Sequence, residues 1–253
     1  MNGNQMTNNS IAENPFAAGQ VLLIDKPIDW TSFDVVRKLR NQVKTKKVGH
    51  AGTLDPLATG LLIVCTGKFT KKINEYMSQE KEYTGTIQLG ASTPTYDLES
   101  APVPTPGYSV SAEGVRSQSG QLISETEIET GLAAFRGPIM QVPPIHSAIK
   151  INGKRVYEMA RKGMEVQLEP RPVTIHEFSI QKQEAGLLHF KVICTTGTYI
   201  RSLANDLGVA LGCGGYLTSL RRTRIGSFLV ENAFSMDAAS IYISKELEGG
   251  IDS

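Results

Sequence analysis

The 253-residue chain has few cysteines and no long apolar run, and each scarcity excludes a class of protein. Its three cysteines, Cys65, Cys194 and Cys213, are far apart in apolar or glycine-rich contexts, so they predict neither a disulfide framework nor a zinc site. No apolar stretch approaches the length that crosses a bilayer, and the first 19 residues lack the features of a signal peptide. The composition predicts a soluble globular protein, for which we expect the cytoplasm.

The net charge is also small, at +1, but the basic and acidic residues are unevenly distributed along the chain. Acids collect in the middle of the chain and near its end, whereas basic residues form four groups. These are Arg37, Lys38, Arg40, Lys44, Lys46 and Lys47; Lys68, Lys71 and Lys72; Lys150, Lys154, Arg155, Arg161 and Lys162; and Arg221, Arg222 and Arg224. A single group of this kind is typical of a solvated surface, but four of them together predict contacts with phosphates of a nucleic acid.

The most informative segment is a glycine-bracketed loop, residues 49–60, that presents one carboxylate, Asp55. Glycines permit backbone angles that other residues avoid, and Pro56 biases Asp55 away from helical angles. We see no second carboxylate, cysteine or metal-ligand spacing near it in the sequence. Two interpretations remain: a positioned nucleophile or base, and a structural turn in which Asp55 caps a neighbouring element.

Residue periodicity predicts an α+β fold with a largely antiparallel sheet, because several strands neighbour each other along the chain. Predicted strands cover 20–25, 61–66, 82–89, 166–168, 173–181, 187–194 and 227–230. Predicted helices cover 71–77, 125–135 and 216–220; a further one is capped by Thr31 or Ser32 and carries Val35, Val36, Leu39 and Val43 on one face, and another is capped by Thr198. We expect a disordered lead over 1–19, one domain over 20–232 and a short tail over 233–253. Residues 91–124, rich in Ser, Pro, Gly and Thr, predict a mobile insertion in that domain.

Several motifs resemble, in order, those of the bacterial tRNA pseudouridine-55 synthases, the TruB type. They are Asp25-Lys26-Pro27, residues 47–62, Lys81-Glu82-Tyr83, residues 143–150 with Gly153, Lys154 and Tyr157, Gly197-Thr198-Tyr199-Ile200-Arg201, and Leu220-Arg221-Arg222. The resemblance covers roughly residues 20–230. It implies the pseudouridine synthase fold, a mixed, mostly antiparallel central sheet with helices around a catalytic cleft. It also implies an isomerase that converts uridine 55 in the T loop of tRNA to pseudouridine.

The resemblance assigns catalytic roles to Asp55, Tyr83 and Arg201. Asp55 is the essential carboxylate acting on a flipped-out base, and whether it attacks the base, attacks the sugar or removes the 2′ proton stays open. Arg201, in the first turn of the predicted Thr198-capped helix, supplies the positive charge that an ionised Asp55 needs. Tyr83 stacks on the target uracil.

Four further residues are assigned to substrate binding by the same resemblance. Tyr199 is a second tyrosine of the site, and Leu220 is a hydrophobic wall of the pocket. His50 fills the space that the flipped base leaves. Lys26 lies close to the site or to a phosphate. Taken without the resemblance, each of the four is equally typical of core or loop packing.

Two departures from the family pattern affect what is expected. His146 stands where relatives commonly carry an aromatic or hydroxylated residue, so its role is open. After Val230 about 23 residues remain, too few for a PUA domain, so we expect the basic groups to hold the T stem-loop. We expect no cofactor, no metal, no membrane contact and no protein partner, and a monomer.

Three alternative functions remain. One is a guide-RNA-dependent RNA pseudouridine synthase, which shares the Asp motif. Another is an RNA-binding or tRNA-folding protein in which catalysis is incidental. The third, a glycoside hydrolase, normally needs two opposed carboxylates, and Asp55 has no evident second acid among the motifs.

Overall fold

The computed structural model describes residues 14–147, 150–151, 154–156 and 168–249. The strands are β1 Val21–Lys26, β2 Val48–His50, β3 Ala58–Thr66, β4 Lys81–Leu89, β5 Ala91–Ser92, β6 Val103–Pro104, β7 Tyr108–Ser111, β8 Gly114–Ser117, β9 Gly137–Gln141, β10 Lys150–Ile151, β11 Lys154–Arg155, β12 Arg171–Glu184, β13 Leu187–Cys194, β14 Gly215–Ile225 and β15 Phe228–Leu229. The α-helices are α1 Pro15–Ala18, α2 Ser32–Gln42, α3 Ile73–Ser78, α4 Glu125–Ala133, α5 Ile200–Ala210 and α6 Met236–Glu248, with 3-10 turns at Gly67–Lys72 and Val230–Asn232.

One nine-stranded sheet carries the fold, in the order β1-β3-β14-β4-β13-β12-β9, with β2 beside β3 and β15 beside β14. Every pairing in it is antiparallel except that of β3 with β14 at its centre. The predicted α+β class with a mixed, mostly antiparallel sheet is therefore confirmed. Within the described ranges, no helix combines the length and the apolar character that crossing a membrane requires.

The parallel contact between β3 and β14 depends on Gly60. In the pairing register Arg222 lies opposite Gly60, whose φ is +102°. A Cβ at this position would lie 2.3 Å from the Arg222 carbonyl oxygen, far inside contact distance. Only glycine meets both requirements, and the strand that follows the Asp55 loop is thereby fixed against β14.

Helix α2 begins as predicted. Thr31 caps it in a reciprocal capping box with Asp34, and the face that carries Val35, Val36 and Leu39 is buried. This face packs against β1, β3 and α6 in one hydrophobic cluster. A second cluster lies under α4 and α5, on β4, β12, β13 and β14.

Both predicted ends of the domain differ from the structure. Within the expected lead, Asn14 caps α1, and the Phe16 side chain is fully buried in the cluster under α2. Within the expected tail, α6 buries Met236, Ala239 and Ile243 in that same cluster. The described parts of both segments therefore belong to the core, because their apolar residues complete a face that α2 alone does not cover.

The expected insertion, residues 91–124, contains two hairpins, β5–β6 and β7–β8. It also buries Thr93, Thr95 and Asp97. Two of them, Thr95 and Asp97, contact the Arg201 side chain.

The predicted helix at 216–220 is wrong, because these residues lie in β14. The pairing of β14 with β4 shifts register between Leu217 and Ser219, where an extra residue interrupts the alternation. That interruption hides the period of two that would otherwise indicate a strand. The other predicted elements that the structure describes differ at their ends by only a few residues. Strand β9 and helices α1 and α6 were not predicted, and the predicted strand at 166–168 lies largely outside the described residues.

We expect Gly60→Ala to destabilise the protein much more than Gly120→Ala. Gly120 also has a positive φ, +82°, but nothing lies within 4 Å of a Cβ there, so it isolates the backbone strain, about 1–2 kcal/mol. Gly60→Ala adds a backbone clash that we expect to cost about 2 kcal/mol more. Urea unfolding of the two variants measures the difference, and equal losses would contradict the role given to the Arg222 contact.

Candidate active site

A cavity of about 300 Å³ opens beside the centre of the sheet and brings together five of the seven predicted site residues: Asp55, Tyr83, Tyr199, Arg201 and Leu220. Asp55 comes from the loop between β2 and β3. Tyr83 and Leu220 come from β4 and β14, and Tyr199 and Arg201 from the start of α5. The volume is within the range of small-ligand sites.

The predicted ion pair is present at one side of this cavity. The Arg201 Nε lies 2.9 Å from Asp55 Oδ2, and its Nη2 donates to Asp55 Oδ1 at 3.3 Å. The Arg201 side chain is 5% exposed and the Asp55 side chain 36%. The guanidinium is thus fixed behind the carboxylate, which keeps a surface open to the cavity.

A second acid, Asp97, shares the same guanidinium. Its Oδ2 lies 3.6 Å from Arg201 Nε, and its side chain is 7% exposed. Arg201 also donates to the carbonyl oxygens of Thr95 at 3.2 Å and His146 at 3.0 Å. The expectation that Asp55 has no acid near it was wrong, because Asp97 comes from the segment 91–124, where nothing in the sequence pattern marks it.

Burial raises the pKa of the Asp55 carboxyl above its ordinary value. Arg201 opposes this, but its charge is shared with Asp97, whose own negative charge raises the Asp55 pKa further. One guanidinium is therefore shared by two carboxylates, and Lys26 adds a smaller opposing charge.

The Asp55 loop is tied to the body of the protein on both sides of the carboxylate. Ser32 Oγ accepts from the Leu54 N–H at 2.9 Å and donates to its carbonyl oxygen at 3.2 Å. The fully buried Lys26 Nζ donates to the carbonyl oxygens of Pro27, Trp30 and Pro56. Lys26 therefore positions the loop and does not line the cavity; its burial lowers its pKa to about 8.

Tyr199 is braced from β9. The Gln141 side chain accepts from the Tyr199 N–H at 2.8 Å and donates to its carbonyl oxygen at 3.1 Å. Burial raises the pKa of the Tyr199 hydroxyl. The predicted Thr198 cap is wrong, because Tyr199 is the N-cap residue and the Thr198 hydroxyl donates to Thr195 instead.

Tyr83 is almost completely buried in the floor of the cavity. Burial raises the pKa of its hydroxyl, and the positive charge of Arg222 opposes that rise. Arg222 is itself 1% exposed, and it donates to the carbonyl oxygens of Leu61 at 2.8 Å and Gly52 at 3.1 Å. Its place in the cavity was missed, because the sequence shows it only as one member of a basic group.

The basic group of Arg221, Arg222 and Arg224 was expected to contact phosphates, and the structure contradicts this. Arg222 is buried, Arg221 pairs with both oxygens of Asp25 at 2.9 and 2.7 Å, and Arg224 pairs with Glu80 at 2.7 Å. The side chains of the group at 150–162 lie outside the described residues.

The remaining basic residues form what we call the lysine surface: Lys44, Lys46, Lys47, Lys68, Lys71 and Lys72, all exposed. A hydrogen bond from the Gly67 N–H to the Lys47 carbonyl oxygen, 2.8 Å long, joins its two halves. No ion pair links these six lysines to a carboxylate of the described chain. By contrast, Arg37 pairs with Asp34 and Lys38 lies over the Trp30 ring.

His50 does not line the cavity. It ends β2, is half-buried, and has a pKa that burial and then Arg222 lower. Its Nδ1 has no hydrogen-bond partner in the structure. It comes three positions after Lys47, about 10 Å along an extended strand, so it lies between the lysine surface and the Asp55 loop. Its predicted role stays a prediction.

Comparison with known proteins gives consistent matches along the chain. Residues 40–200 match the model of the TruB family pseudouridylate synthase (N-terminal domain), and residues 201–246 match the tRNA pseudouridylate synthase B C-terminal domain. A tRNA pseudouridine synthase B of Flavobacterium johnsoniae is 50% identical over 228 residues, 87% of this chain and 94% of that protein. One from Parabacteroides distasonis is 42% identical over 241 residues, 92% of this chain and 96% of that protein.

Among solved structures, a chain of a Cbf5-Nop10-Gar1 complex matches with a TM-score of 0.68 and 27% identity. The match covers 98% of the present chain but 63% of that chain, so the protein spans less than two thirds of its structural neighbour.

We expect Asp55→Asn to be more stable than the wild type at neutral pH. Because the folded-state pKa of Asp55 is raised, the folded protein is favoured while Asp55 is protonated, and that advantage is lost as pH rises through the folded pKa. Asparagine stays neutral throughout. Urea unfolding at several pH values should show the stability gain vanish below the ordinary pKa of aspartate and grow above it; a less stable variant at pH 7 would contradict the raised pKa.

Proposed function

The chain belongs to the TruB family of pseudouridylate synthases, and on this premise we propose that it isomerises uridine 55 in the T loop of tRNA to pseudouridine. One observation carries the proposal: a partly exposed Asp55 carboxylate, held by a buried arginine, faces a cavity walled by two tyrosines and a leucine. The names of the relatives supply tRNA as the substrate class.

The reaction breaks the bond between the ribose C1′ and N1 of uracil and joins C1′ to C5 of the same base. Asp55 supplies the carboxylate. The contacts of Arg201 with the backbone at Thr95 and His146 fix its guanidinium in place, so it orients Asp55 without needing to move. The raised pKa of Asp55 gives it the basicity of a better nucleophile or base once it is ionised.

The flipped base enters between Tyr83, Tyr199 and Leu220, which are the apolar and aromatic surfaces of the cavity. Aromatic rings hold a base by stacking and tolerate its rotation, since stacking makes few directional demands. His50 lies outside this cavity, and in this proposal it fills the gap left in the RNA stack.

The lysine surface supplies the phosphate contacts. It continues along β2 towards His50 and the Asp55 loop, so an RNA strand bound there can reach the cavity. Its lysines have no acidic partner within the described part of the chain, which leaves them available to phosphates.

We expect Asp55→Asn to lose isomerisation by several orders of magnitude while tRNA binding stays intact. The substrate is an unmodified tRNA transcript or a T-arm stem-loop with no guide RNA added, and pseudouridine is mapped by chemical labelling. Asp237→Asn, which changes an exposed acid in the first turn of α6, is the matched control and should keep wild-type activity.

Residual activity of Asp55→Asn within about tenfold of wild type, only about 1.4 kcal/mol of barrier, would contradict the role of Asp55. If the wild-type protein were active only with an added guide RNA, the guide-dependent synthase would be favoured. If it bound tRNA without isomerising it, the RNA-binding or tRNA-folding protein would be favoured.

Reversing charge at Lys44, Lys46 and Lys47 should weaken tRNA binding and flatten its dependence on salt. Each lost phosphate contact reduces the slope of log affinity against log salt by about 0.9. Reversal at Arg116, Lys182 and Lys245 changes net charge equally at sites far along the chain and controls for long-range effects. An equal change of slope in both triple variants would show that the lysine surface makes no particular contact.

A further inference from the structure

Two cations line the end of the cavity that Tyr83 occupies: Lys81, which is 5% exposed, and Arg222, which is 1% exposed. In the pairing of β4 with β14, Arg222 lies opposite Tyr83. Lys81 precedes Tyr83 by two residues, so its side chain leaves the sheet on the same face. The three side chains therefore form one patch of the cavity wall.

Neither cation has an acidic partner among the described residues. Lys81 donates to the carbonyl oxygens of Met77 at 2.6 Å and Gln79 at 2.5 Å, which leaves one of its three protons. Arg222 uses its Nε and Nη2 on backbone carbonyls, which leaves donors on Nη1. Each cation is thus anchored by the backbone and keeps unused hydrogen-bonding capacity.

The two other buried cations near the site differ from this pair. Arg201 faces Asp55 and Asp97, and Lys26 feels the negative charges of Asp55 and Asp29. Burial and then the charge of Arg222 lower the pKa of Lys81 to about 8; the Cys194 thiol opposes this, but no carboxylate does. Burying a cation without a counter-charge is unfavourable, so a site that keeps two of them is prepared to receive negative charge.

We propose that Lys81 and Arg222 form an anion site that holds the detached uracil as its N1 anion while the base turns. This proposal rests on the proposed function and adds to it the charge of the bound intermediate. The two ends of the cavity then have different roles: Asp55, oriented by Arg201, acts at the sugar, and Lys81 and Arg222 bind the detached base.

In the route by attack at the sugar, bonds are exchanged at C1′. A carboxylate oxygen of Asp55 bonds to C1′, the N1–C1′ bond breaks, and its electron pair remains on the ring as uracilate. After rotation, C5 bonds to C1′ and the Asp55 carboxylate is released. C5 then loses its proton and N1 takes one. If Asp55 instead removes the 2′ proton, the departing base takes the same electron pair.

Two point charges suit an anion that must rotate. The negative charge of the uracil N1 anion is shared among N1, C5 and the two carbonyl oxygens, so successive charged atoms meet the cations as the base turns. A carboxylate bound to either cation would cancel this attraction, which gives a physical reason for the absence of an acid among the described neighbours.

The test compares two target bases in the same T-arm stem-loop, uridine and 5-fluorouridine. Fluorine makes the ring nitrogens more acidic, so the anion of 5-fluorouracil needs less electrostatic stabilisation from the protein than that of uracil. Single-turnover rates are measured as the disappearance of the N-linked nucleoside after digestion of the RNA. We expect Lys81→Met to slow uridine about 100-fold, as for loss of one preorganised donor to a developing anion, and 5-fluorouridine about tenfold or less.

Two further variants make the result specific. Lys81→Arg keeps a cation and should recover the rate to within about tenfold of wild type. Lys191→Met is the matched control, since Lys191 lies on the neighbouring strand β13 and pairs with Glu82 and Glu177 on the other face of the sheet; it should leave both rates unchanged. If Lys81→Met does not fold, Lys81→Gln carries the same comparison.

Equal losses on the two bases, or a Lys81→Met rate within about threefold of wild type on uridine, would overturn the anion site. That outcome leaves the proposed function standing, because wild-type isomerisation is measured in the same assay. Wild-type protein that leaves uridine unchanged would instead contradict the proposed function itself.

Discussion

The arrangement of the site depends on one buried guanidinium. Arg201 enters from the first turn of α5 and binds the Asp55 carboxylate, the Asp97 carboxylate and the carbonyl oxygens of Thr95 and His146. Asp55 comes from the loop after β2, Thr95 and Asp97 from the segment after β5, and His146 from the chain after β9. Without the charge of Arg201, the buried Asp97 would lie near the partly exposed Asp55 with no guanidinium between them, so the ion pairs favour this arrangement of the loops and the helix.

The sharing of Arg201 also sets the character of Asp55. A guanidinium used by one carboxylate alone lowers the pKa of that carboxyl and weakens it as a base. Burial raises the pKa of Asp55, Arg201 lowers it, and the negative charge of Asp97 adds to the rise. Arg201 therefore fixes the position of the carboxylate, while burial and then Asp97 keep its pKa above the ordinary value.

The sequence predicts those features that are carried by local patterns. The alternation in 82–89 and 187–194 predicts strands β4 and β13, the Thr31 cap predicts the start of α2, and the glycine-bracketed loop identifies Asp55. The pairing of Asp55 with Arg201 spans 146 positions, and it was predicted only through the resemblance to a family. No periodicity or spacing in a single sequence contains such a contact.

The misses have the same physical origin. Asp97 lies in a segment whose composition indicates only a loop, and Arg222 stands between two arginines that are paired with surface acids. Whether an arginine faces solvent or the core is decided by strand register, and in β14 a bulge on each side of residues 219–222 changes that register. A one-residue shift moves a side chain to the other face of a sheet. The same bulged strand places Leu220 and Arg222 at the cavity, while Arg221 faces the other way and pairs with Asp25. The groups beside Tyr83 in the cavity therefore depend on two bulges that the alternation of residues along the sequence does not reveal.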